Sequence, residues 1–247
     1  ALEGAAAFWV GLRQARWMPR AFGLLLQVLA ALSYFGALAT PLGRWPLTHP
    51  GFLGALLIAL PAVAIARWAR RPLAHSGSRW AAGYAKLEDL LPTPLLFYGL
   101  AMWLQAWSME FSRRVPASVA GQWPEAAWAA PVALWLMTGT TLLSVAGLLA
   151  WGRRTAWPQA TWPSRLSLPV LAWALLAQWW SGLHVLDWPA WLAWPLALAL
   201  HGVLMHRNET GARASLSPAW QRWMSLQHTG TAWLVLLLLG DALATGT

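Results

Sequence analysis

Few side chains in this sequence are suited to chemistry, and the strongest candidates are Glu110, His184 and Asp187. His184 precedes Asp187 by three residues, so within one helical turn the two side chains would share a face and hydrogen-bond. A histidine that is oriented by a carboxylate can act as a general base, and Glu110 completes this set of weak catalytic candidates. The alternative is a structural pair that closes a tight loop, and the spacing fits both interpretations.

Asp187 is also well placed to cap a helix. Pro189 suits the first turn of a following helix, and an aspartate just before it can accept hydrogen bonds from the unpaired backbone N–H groups there. We therefore predict that Asp187 is mainly an N-cap and that its contact with His184 is secondary.

Other polar groups lie inside apolar stretches. His201 is expected to pair with Thr140 or Thr141 across helices, or to reach the membrane interface near His206. The small and hydroxylated residues of segment 138–147 favour close helix packing, with an ion or substrate path as the alternative. The spans contain no pair of carboxylates at their centre, which gives a proton-coupled transporter little support.

The sequence offers no motif for a bound metal or cofactor. It contains no cysteine, so a disulfide, a thiolate metal site and a cysteine nucleophile are excluded. It also lacks metal-ligand spacing, a phosphate-binding loop, a dinucleotide fingerprint and a nucleophile elbow. We therefore predict no metal site and no cofactor.

The composition indicates which elements position these residues. Hydrophobic residues make up 58% of the 247 and charged residues only 10%, whereas soluble domains carry about 25% charged residues. A spanning helix needs about 20 apolar residues, so we predict an all-α polytopic transmembrane bundle of about 6–8 helices forming one membrane domain over 1–247, with Pro61 as a kink. The predicted spans are 21–39, 51–69, 93–109, 131–152, 168–183, 191–205 and 230–244, with 1–12 as the remnant of an earlier helix.

The basic residues predict the threading. Fourteen of the 17 fall in alternate loops, and three, Arg44, Arg113 and Arg114, fall in the others. Positive loops face the cytoplasm, so the loops at 67–86, 153–165 and 207–222 are predicted to be cytoplasmic. The net charge of +9 then indicates attraction to anionic lipids at that face, and not nucleic-acid binding.

Tryptophan occurs 22 times and is expected at both membrane interfaces. A belt of aromatic anchors is the favoured interpretation, with a groove for a glycan or lipid-linked glycan as the alternative. The tryptophans expected on the outer side are Trp45, Trp103, Trp107, Trp123, Trp128, Trp179, Trp180, Trp188 and Trp191. Those expected on the inner side are Trp17, Trp68, Trp80, Trp151, Trp157, Trp162, Trp220 and Trp223.

Several stretches are similar to a known family. They are WLAWPLALALH at 191–201, RAFGLLLQ at 20–27, PGFLGAL at 50–56, FYGLAMWL at 97–104 and LQHTGTAWL at 226–234, together with LEGA at 2–5. In this order they resemble the large bacterial membrane proteins of domain-of-unknown-function family 2339. The resemblance implies the C-terminal portion of a long inner-membrane protein, with Asp241 in the place of an acidic residue that members carry near the end of the last segment. It implies no activity and no catalytic residues.

These observations lead to three function hypotheses. The first is a non-enzymatic, multi-pass protein of the bacterial inner membrane that acts as a scaffold of the cell envelope, with the remaining spans of a longer chain and other membrane proteins as partners. The second is part of a transporter or channel. The third is an enzyme that acts on a lipid-linked or glycan substrate at the outer face through Glu110, His184 and Asp187.

Overall fold

A computed structural model describes residues 1–37, 47–71, 78–114, 131–212 and 218–245. Within these ranges 88% of the residues are helical and no strand occurs. The helices are α1 (Leu2–Arg13), α2 (Trp17–Gly36), α3 (Pro50–Trp68), α4 (Arg79–Leu90), α5 (Pro92–Arg114), α6 (Pro131–Arg154), α7 (Pro158–Thr161), α8 (Ser167–Trp180), α9 (Ala190–Ala212) and α10 (Pro218–Thr245). A short 3-10 helix, Trp162–Leu166, joins α7 to α8.

The predicted all-α class is confirmed, but the predicted number of spans is not. Three of the described helices, α2, α3 and α6, are long and apolar enough to cross a membrane. The predicted span at 168–183 is too long, because α8 ends at Trp180 and Gly182 adopts a left-handed backbone with φ +67. Three apolar helices are compatible with a membrane protein.

Other sequence expectations also need correction or lie outside these ranges. The loop predicted at 67–86 contains most of α4, and α10 begins at Pro218, well before the predicted 230. By contrast, helix α3 continues through Pro61, which agrees with the expectation that this proline does not break the helix. The predictions for Arg44, Trp45, Trp123 and Trp128 fall on residues that the structure does not describe.

The chain divides into two compact units, Ala1–Glu110 and Phe111–Thr247. In the first unit, α1 and α2 form a hairpin whose helices touch backbone to backbone. A Cβ added at Gly4 would lie 2.7 Å from the carbonyl oxygen of Gly23, and a Cβ added at Gly23 would collide with the carbonyl oxygen of Gly4. Small residues allow this close approach, and Phe8 is fully buried beside the contact.

Helix α3 packs against this hairpin and against α5. Its buried face includes Phe52, Ala55 and Ile58, which form one core cluster with Tyr34 of α2 and Ala106 of α5. Polar groups join the same helices, because the side-chain amide of Gln27 donates to the carbonyl of Ile58 over 2.9 Å and the Tyr34 hydroxyl donates to that of Gly51 over 3.0 Å.

In the second unit, α6 contacts α7, α8 and α9. Trp157 is fully buried where α6 turns into α7, with its ring edge-on to Trp151 at a centroid distance of 5.1 Å. Trp194 of α9 packs edge-on against Trp135 of α6 at 4.9 Å, and its indole N–H donates to the side chain of Gln178 in α8.

The two units use the same turn after their first helix. After α1, the N–H of Arg16 donates to the carbonyl of Gly11 over 2.9 Å, and Ala15 between them has φ +52. After α6, the N–H of Trp157 donates to the carbonyl of Gly152 over 2.7 Å, and Ala156 has φ +48. Both are Schellman turns in which alanine occupies the left-handed position that glycine usually takes.

The third long helix of each unit also buries a corresponding face. When Pro50, the first residue of α3, is aligned with Pro189, which precedes α9, six buried positions of α9 correspond to buried positions of α3. The match is one-sided, because Phe52, Ala59 and Pro61 of α3 are buried and their counterparts in α9 are not. The corresponding pairs are Gly51 and Ala190, Ala55 and Trp194, Ile58 and Ala197, Ala62 and His201, Ile65 and Leu204, and Ala66 and Met205. The two units therefore repeat one order of helices, and α4 is the clearest element that the first unit has in addition.

Candidate functional site

Glu110, near the end of α5, holds the loop that precedes α3. Its Oε2 accepts from the backbone N–H of Leu47 over 3.3 Å and lies 3.1 Å from Nε2 of His49. Both side chains of the His49–Glu110 pair are buried, with exposed fractions of 0% and 4%. We call this set, Glu110 with His49 and Leu47, the first clasp.

The geometry of the first clasp defines the protonation of His49. This residue is the N-cap of α3, and its Nδ1 accepts from the backbone N–H of Phe52 over 3.1 Å. A nitrogen that accepts carries no proton, so Nε2 bears the hydrogen and donates it to Glu110. The ring thus bridges a helix N-terminus and the carboxylate of Glu110. The same carboxylate holds Leu47, whose φ of +59 is rare for a side-chain-bearing residue.

In the second unit, the carboxylate of Asp241 also holds a loop that precedes a long helix. Asp241 of α10 accepts from the backbone N–H of Val185 over 2.7 Å and from the indole N–H of Trp179 over 3.1 Å. Its Oδ1 lies 3.3 Å from Nδ1 of His184. We call these four residues the second clasp. It is more open than the first, because the side chain of His184 is 51% exposed and that of Asp241 11%.

The clasps occupy corresponding places in the repeated order of helices. In each unit, an acidic residue near the end of the last helix holds a histidine and a backbone N–H in the loop between the second and third long helices. A carboxylate that accepts two or three such bonds fixes a loop that would otherwise leave polar backbone groups unpaired.

Asp187 does not cap α9 as predicted. Its carboxylate accepts from the backbone N–H of His184 over 2.6 Å, within the loop. The first amides of α9, those of Ala190 and Trp191, donate instead to the main-chain carbonyl of Asp187, over 2.7 and 3.2 Å. The expected contact between His184 and Asp187 therefore exists, but it uses the backbone of the histidine, because the imidazole points to Asp241.

The sequence candidates thus have separate partners. Glu110 is in the first unit with His49, and His184 and Asp187 are in the second unit. Two participants were missed as site residues. His49 could have been suspected because it directly precedes Pro50 at the start of an apolar run, and Asp241 because it is the one acidic residue in the last run.

His201 differs from the prediction. Its Nδ1 and Nε2 each lie 2.9 Å from a hydroxyl, that of Ser167 in α8 and that of Thr231 in α10. Both ring nitrogens therefore have partners other than the predicted Thr140 and Thr141, and the Thr141 hydroxyl donates to the carbonyl of Met137 in its own helix. The hydroxyls of Thr138, Thr141 and Ser144 thus bond to the backbone of α6, and His201 joins α8, α9 and α10.

A buried ion pair lies at the opposite end of the first unit. The guanidinium of Arg20 in α2 pairs with the carboxylate of Glu88 in α4 and also donates to the carbonyl of Arg71. Tyr84 lies beside them, and burial raises its pKa to about 12, although the positive charge of Arg20 opposes this shift. A tyrosine with this pKa stays neutral, so the cluster carries one compensated pair of charges.

An arginine in the second unit is held by aromatic rings. The guanidinium of Arg165 lies 3.8 Å from the ring centroid of Trp220 and 5.8 Å from that of Trp162. Burial lowers the pKa of Arg165 from its usual value, and contact with the ring faces partly replaces lost water. Its carbonyl accepts from the side-chain amide of Gln227, which ties this segment to α10.

The tryptophans divide between exposed and packed positions. Trp180, Trp188 and Trp191 are exposed around the loop between α8 and α9, as interface anchors would be. Trp103 and Trp107 instead pack edge-on at 5.8 Å within α5. Among the described residues, no group of three His, Asp, Glu or Cys side chains is close enough to hold a metal ion.

Comparison with known proteins places the chain in no family. No family model, no curated protein and no solved structure matches it. The similarity to domain-of-unknown-function family 2339 therefore stays a prediction from the sequence.

Proposed function

We propose that this chain is a multi-pass scaffold protein of the bacterial inner membrane, without enzymatic activity of its own. Only the inner-membrane location follows from the resemblance to membrane proteins of unknown function. The observation that carries the proposal is that the polar side chains of this protein form hydrogen bonds to its own backbone. The carboxylates of Glu110, Asp187 and Asp241 hold loops, and the hydroxyls of α6 bond to their own helix. Side chains engaged in this way stabilise a framework.

The location rests on apolar surface and charge. Alongside three helices of spanning length, large apolar side chains are exposed along the helices, including Leu25, Val28 and Leu32 on α2 and Leu236 and Leu243 on α10. Lipid is the solvent that suits such surfaces. The uneven distribution of arginines supports the predicted direction of threading.

Cysteine accessibility tests the location and the threading. Because the chain has no cysteine of its own, single cysteines at Ala82 and at Leu186 report one position each. We expect a membrane-impermeant maleimide to label Leu186→Cys in intact spheroplasts and Ala82→Cys only in inverted vesicles. Labelling of both from the same side would contradict the threading, and recovery in the soluble fraction would contradict the membrane location.

A transporter part is the second candidate function, which the repeated order of helices favours, since many transporters are built from structural repeats. Water-soluble thiol reagents distinguish the two. A scaffold with a dry interior predicts that cysteines at the buried positions Ile58 and Ala197 stay unreactive. A water-lined path predicts reaction at one of them, with Leu57 on the exposed face of α3 as the matched control for lipid protection.

A further inference from the structure

Helix α4 has an exposed apolar face that no described residue of the first unit covers. Trp80, Leu87 and Leu90 are 79%, 54% and 71% exposed, and with Gly83 their spacing places them on one side of the helix. Three large apolar side chains on one side of a 12-residue helix are more than water-facing helices normally expose. The face therefore needs an apolar partner.

The opposite part of α4 is fixed to the bundle. Ala81, Tyr84 and Glu88 are buried, and Glu88 pairs with Arg20 in the first turn of α2. The ring of Tyr84 packs against that of Trp17 at a centroid distance of 5.9 Å. The contacts hold α4 beside the end of a candidate span, with the apolar face turned away from α2.

A third, polar side completes the helix. Ala82, Lys86 and Asp89 are exposed, and by helical spacing they lie between the buried face and the apolar face, away from Leu87. A helix with one protein-facing, one apolar and one polar side matches a position in the plane of a membrane surface, where each side meets a different medium.

The charges indicate which surface this is. Arg70, Arg71, Arg79 and Lys86 precede or lie on the helix, against Asp89 as the one exposed acidic residue, because Glu88 is neutralised by Arg20. Basic residues beside an interfacial helix attract anionic lipid headgroups.

We propose that α4 is an interfacial helix that binds the anionic leaflet at the cytoplasmic face, with Trp80, Leu87 and Leu90 inserted at the boundary between headgroups and acyl chains. The inference rests on the proposed membrane location of the chain. It assigns to a segment predicted as a loop the role of a lipid-binding surface anchored through Arg20 and Glu88.

Single spin labels on the full-length protein test the proposal. Cysteines at Gly83, Leu87 and Leu90 report the apolar face, and Gly83 leaves open space for a side chain. Cysteines at Ala82 and Lys86 are the matched controls on the polar side. After reconstitution in vesicles of phosphatidylcholine and phosphatidylglycerol, collisions with oxygen report lipid and collisions with a nickel chelate report water.

We expect oxygen collisions to exceed nickel collisions at Gly83, Leu87 and Leu90, and the reverse at Ala82 and Lys86. Equal access of nickel to both sides would overturn the proposal, as would protection of the apolar face from both reagents, which would identify a protein partner. A label at Leu57 of α3 separates the two proposals. Lipid contact at Leu57 without lipid contact at Leu87 refutes the interfacial helix alone, and water at Leu57 refutes the membrane location.

A change of lipid composition tests whether α4 recognises anionic lipid headgroups. In vesicles of phosphatidylcholine alone, we expect a smaller difference between Leu87 and Lys86 in the ratio of oxygen to nickel collisions. The variant Arg79→Gln should reduce this difference in vesicles that contain phosphatidylglycerol and should have no effect in neutral vesicles. An unchanged difference in neutral vesicles would refute recognition of anionic lipid.

Discussion

One carboxylate oxygen of Glu110 accepts both described hydrogen bonds of the first clasp, whereas Asp241 divides its bonds between two oxygens. Oε2 of Glu110 serves His49 and Leu47. In the second clasp, Oδ1 of Asp241 serves Trp179 and Oδ2 serves Val185. This difference separates the two sites experimentally, because an amide has one oxygen and one N–H donor group.

For Glu110 we predict that the glutamine variant is less damaging than the alanine variant. In Glu110→Gln the amide oxygen can take the place of Oε2 and keep both bonds. In Glu110→Ala two buried N–H donors lose their acceptor, which costs about 1–3 kcal/mol. Thermal unfolding in detergent measures both, and equal damage from glutamine and alanine would show that the negative charge itself matters.

For Asp241 we predict the opposite pattern. In Asp241→Asn an NH2 group replaces one of the two carboxylate oxygens. In either orientation of the amide, this NH2 group faces the N–H of Val185 or that of Trp179, so two hydrogen-bond donors face each other. We expect asparagine to lower stability nearly as much as alanine, by about 1 kcal/mol, because this clasp is half open to solvent. Faster maleimide labelling of a cysteine at Leu186 would report the released loop. A stable asparagine variant with an unchanged labelling rate would contradict this account.

The sequence identified Glu110, His184 and Asp187 as candidates, but it did not identify the residues that contact the side chains of Glu110 and His184. Local spacing predicted a side-chain pair of His184 and Asp187 on one helical turn, but the two residues meet in a loop through the backbone N–H of His184. It could not find the imidazole partner of His184, which is 57 residues away, or that of Glu110, which is 61 residues away. Contacts over such distances depend on how the helices pack, and local patterns carry no information on this.

At the scale of elements, the α1–α2 hairpin depends on the absence of side chains. We predict that Gly23→Ala lowers stability by about 1–3 kcal/mol, because the new methyl group would overlap the backbone of Gly4 and Phe8. Gly139→Ala in α6 is the matched control. It meets open space, and alanine favours a helix by up to about 1 kcal/mol. Equal effects of the two substitutions in thermal unfolding would refute the close contact.

The two Schellman turns predict a gain of stability. Alanine in the left-handed region is disfavoured by about 1–2 kcal/mol, so Ala15→Gly and Ala156→Gly should each stabilise the protein by up to about 1 kcal/mol. The control Ala6→Gly, within α1, should destabilise it by a similar amount. A loss of stability at both turns, measured in the same detergent, would contradict the observed φ angles.

Apolar runs predicted the long helices but not α4. The runs at 51–69 and 131–152 agree with α3 and α6 within a few residues. Helix α4 was missed because charged residues alternate with its apolar ones, so it lacks the continuous hydropathy of a span. Its amphipathic period is visible only when a helix is considered at the membrane surface.

At the scale of the whole molecule, the excess of positive charge predicts a dependence on lipid. A ligand that binds the folded state stabilises it, so we expect a higher unfolding temperature in nanodiscs of phosphatidylglycerol than in nanodiscs of phosphatidylcholine. The difference should decrease at high salt, which screens exposed charges. A difference that high salt leaves unchanged would indicate an effect of the acyl chains and not of the headgroups.

The repetition of the two units could not be detected in the sequence, because corresponding buried positions are occupied by different residue types. Ala62 corresponds to His201, and Ala55 to Trp194, so the side chains differ although the same helical face is buried. The turns share only a glycine, an arginine two positions later and an alanine four positions later, which is too little to detect without the backbone angles of Ala15 and Ala156.

The ion pair between Arg20 and Glu88 also has a consequence for synthesis. The two residues are 68 positions apart, and ribosomes add about 5–20 residues per second, so Arg20 emerges roughly 3–14 s before its partner. During this interval Arg20 lacks Glu88, and under the proposed threading its positive charge belongs to the group of charges that orients α2 in the membrane. Once α4 has been made, Glu88 neutralises the same charge inside the protein. The proposed threading thus gives one arginine two successive roles, in directing insertion and in anchoring the finished fold.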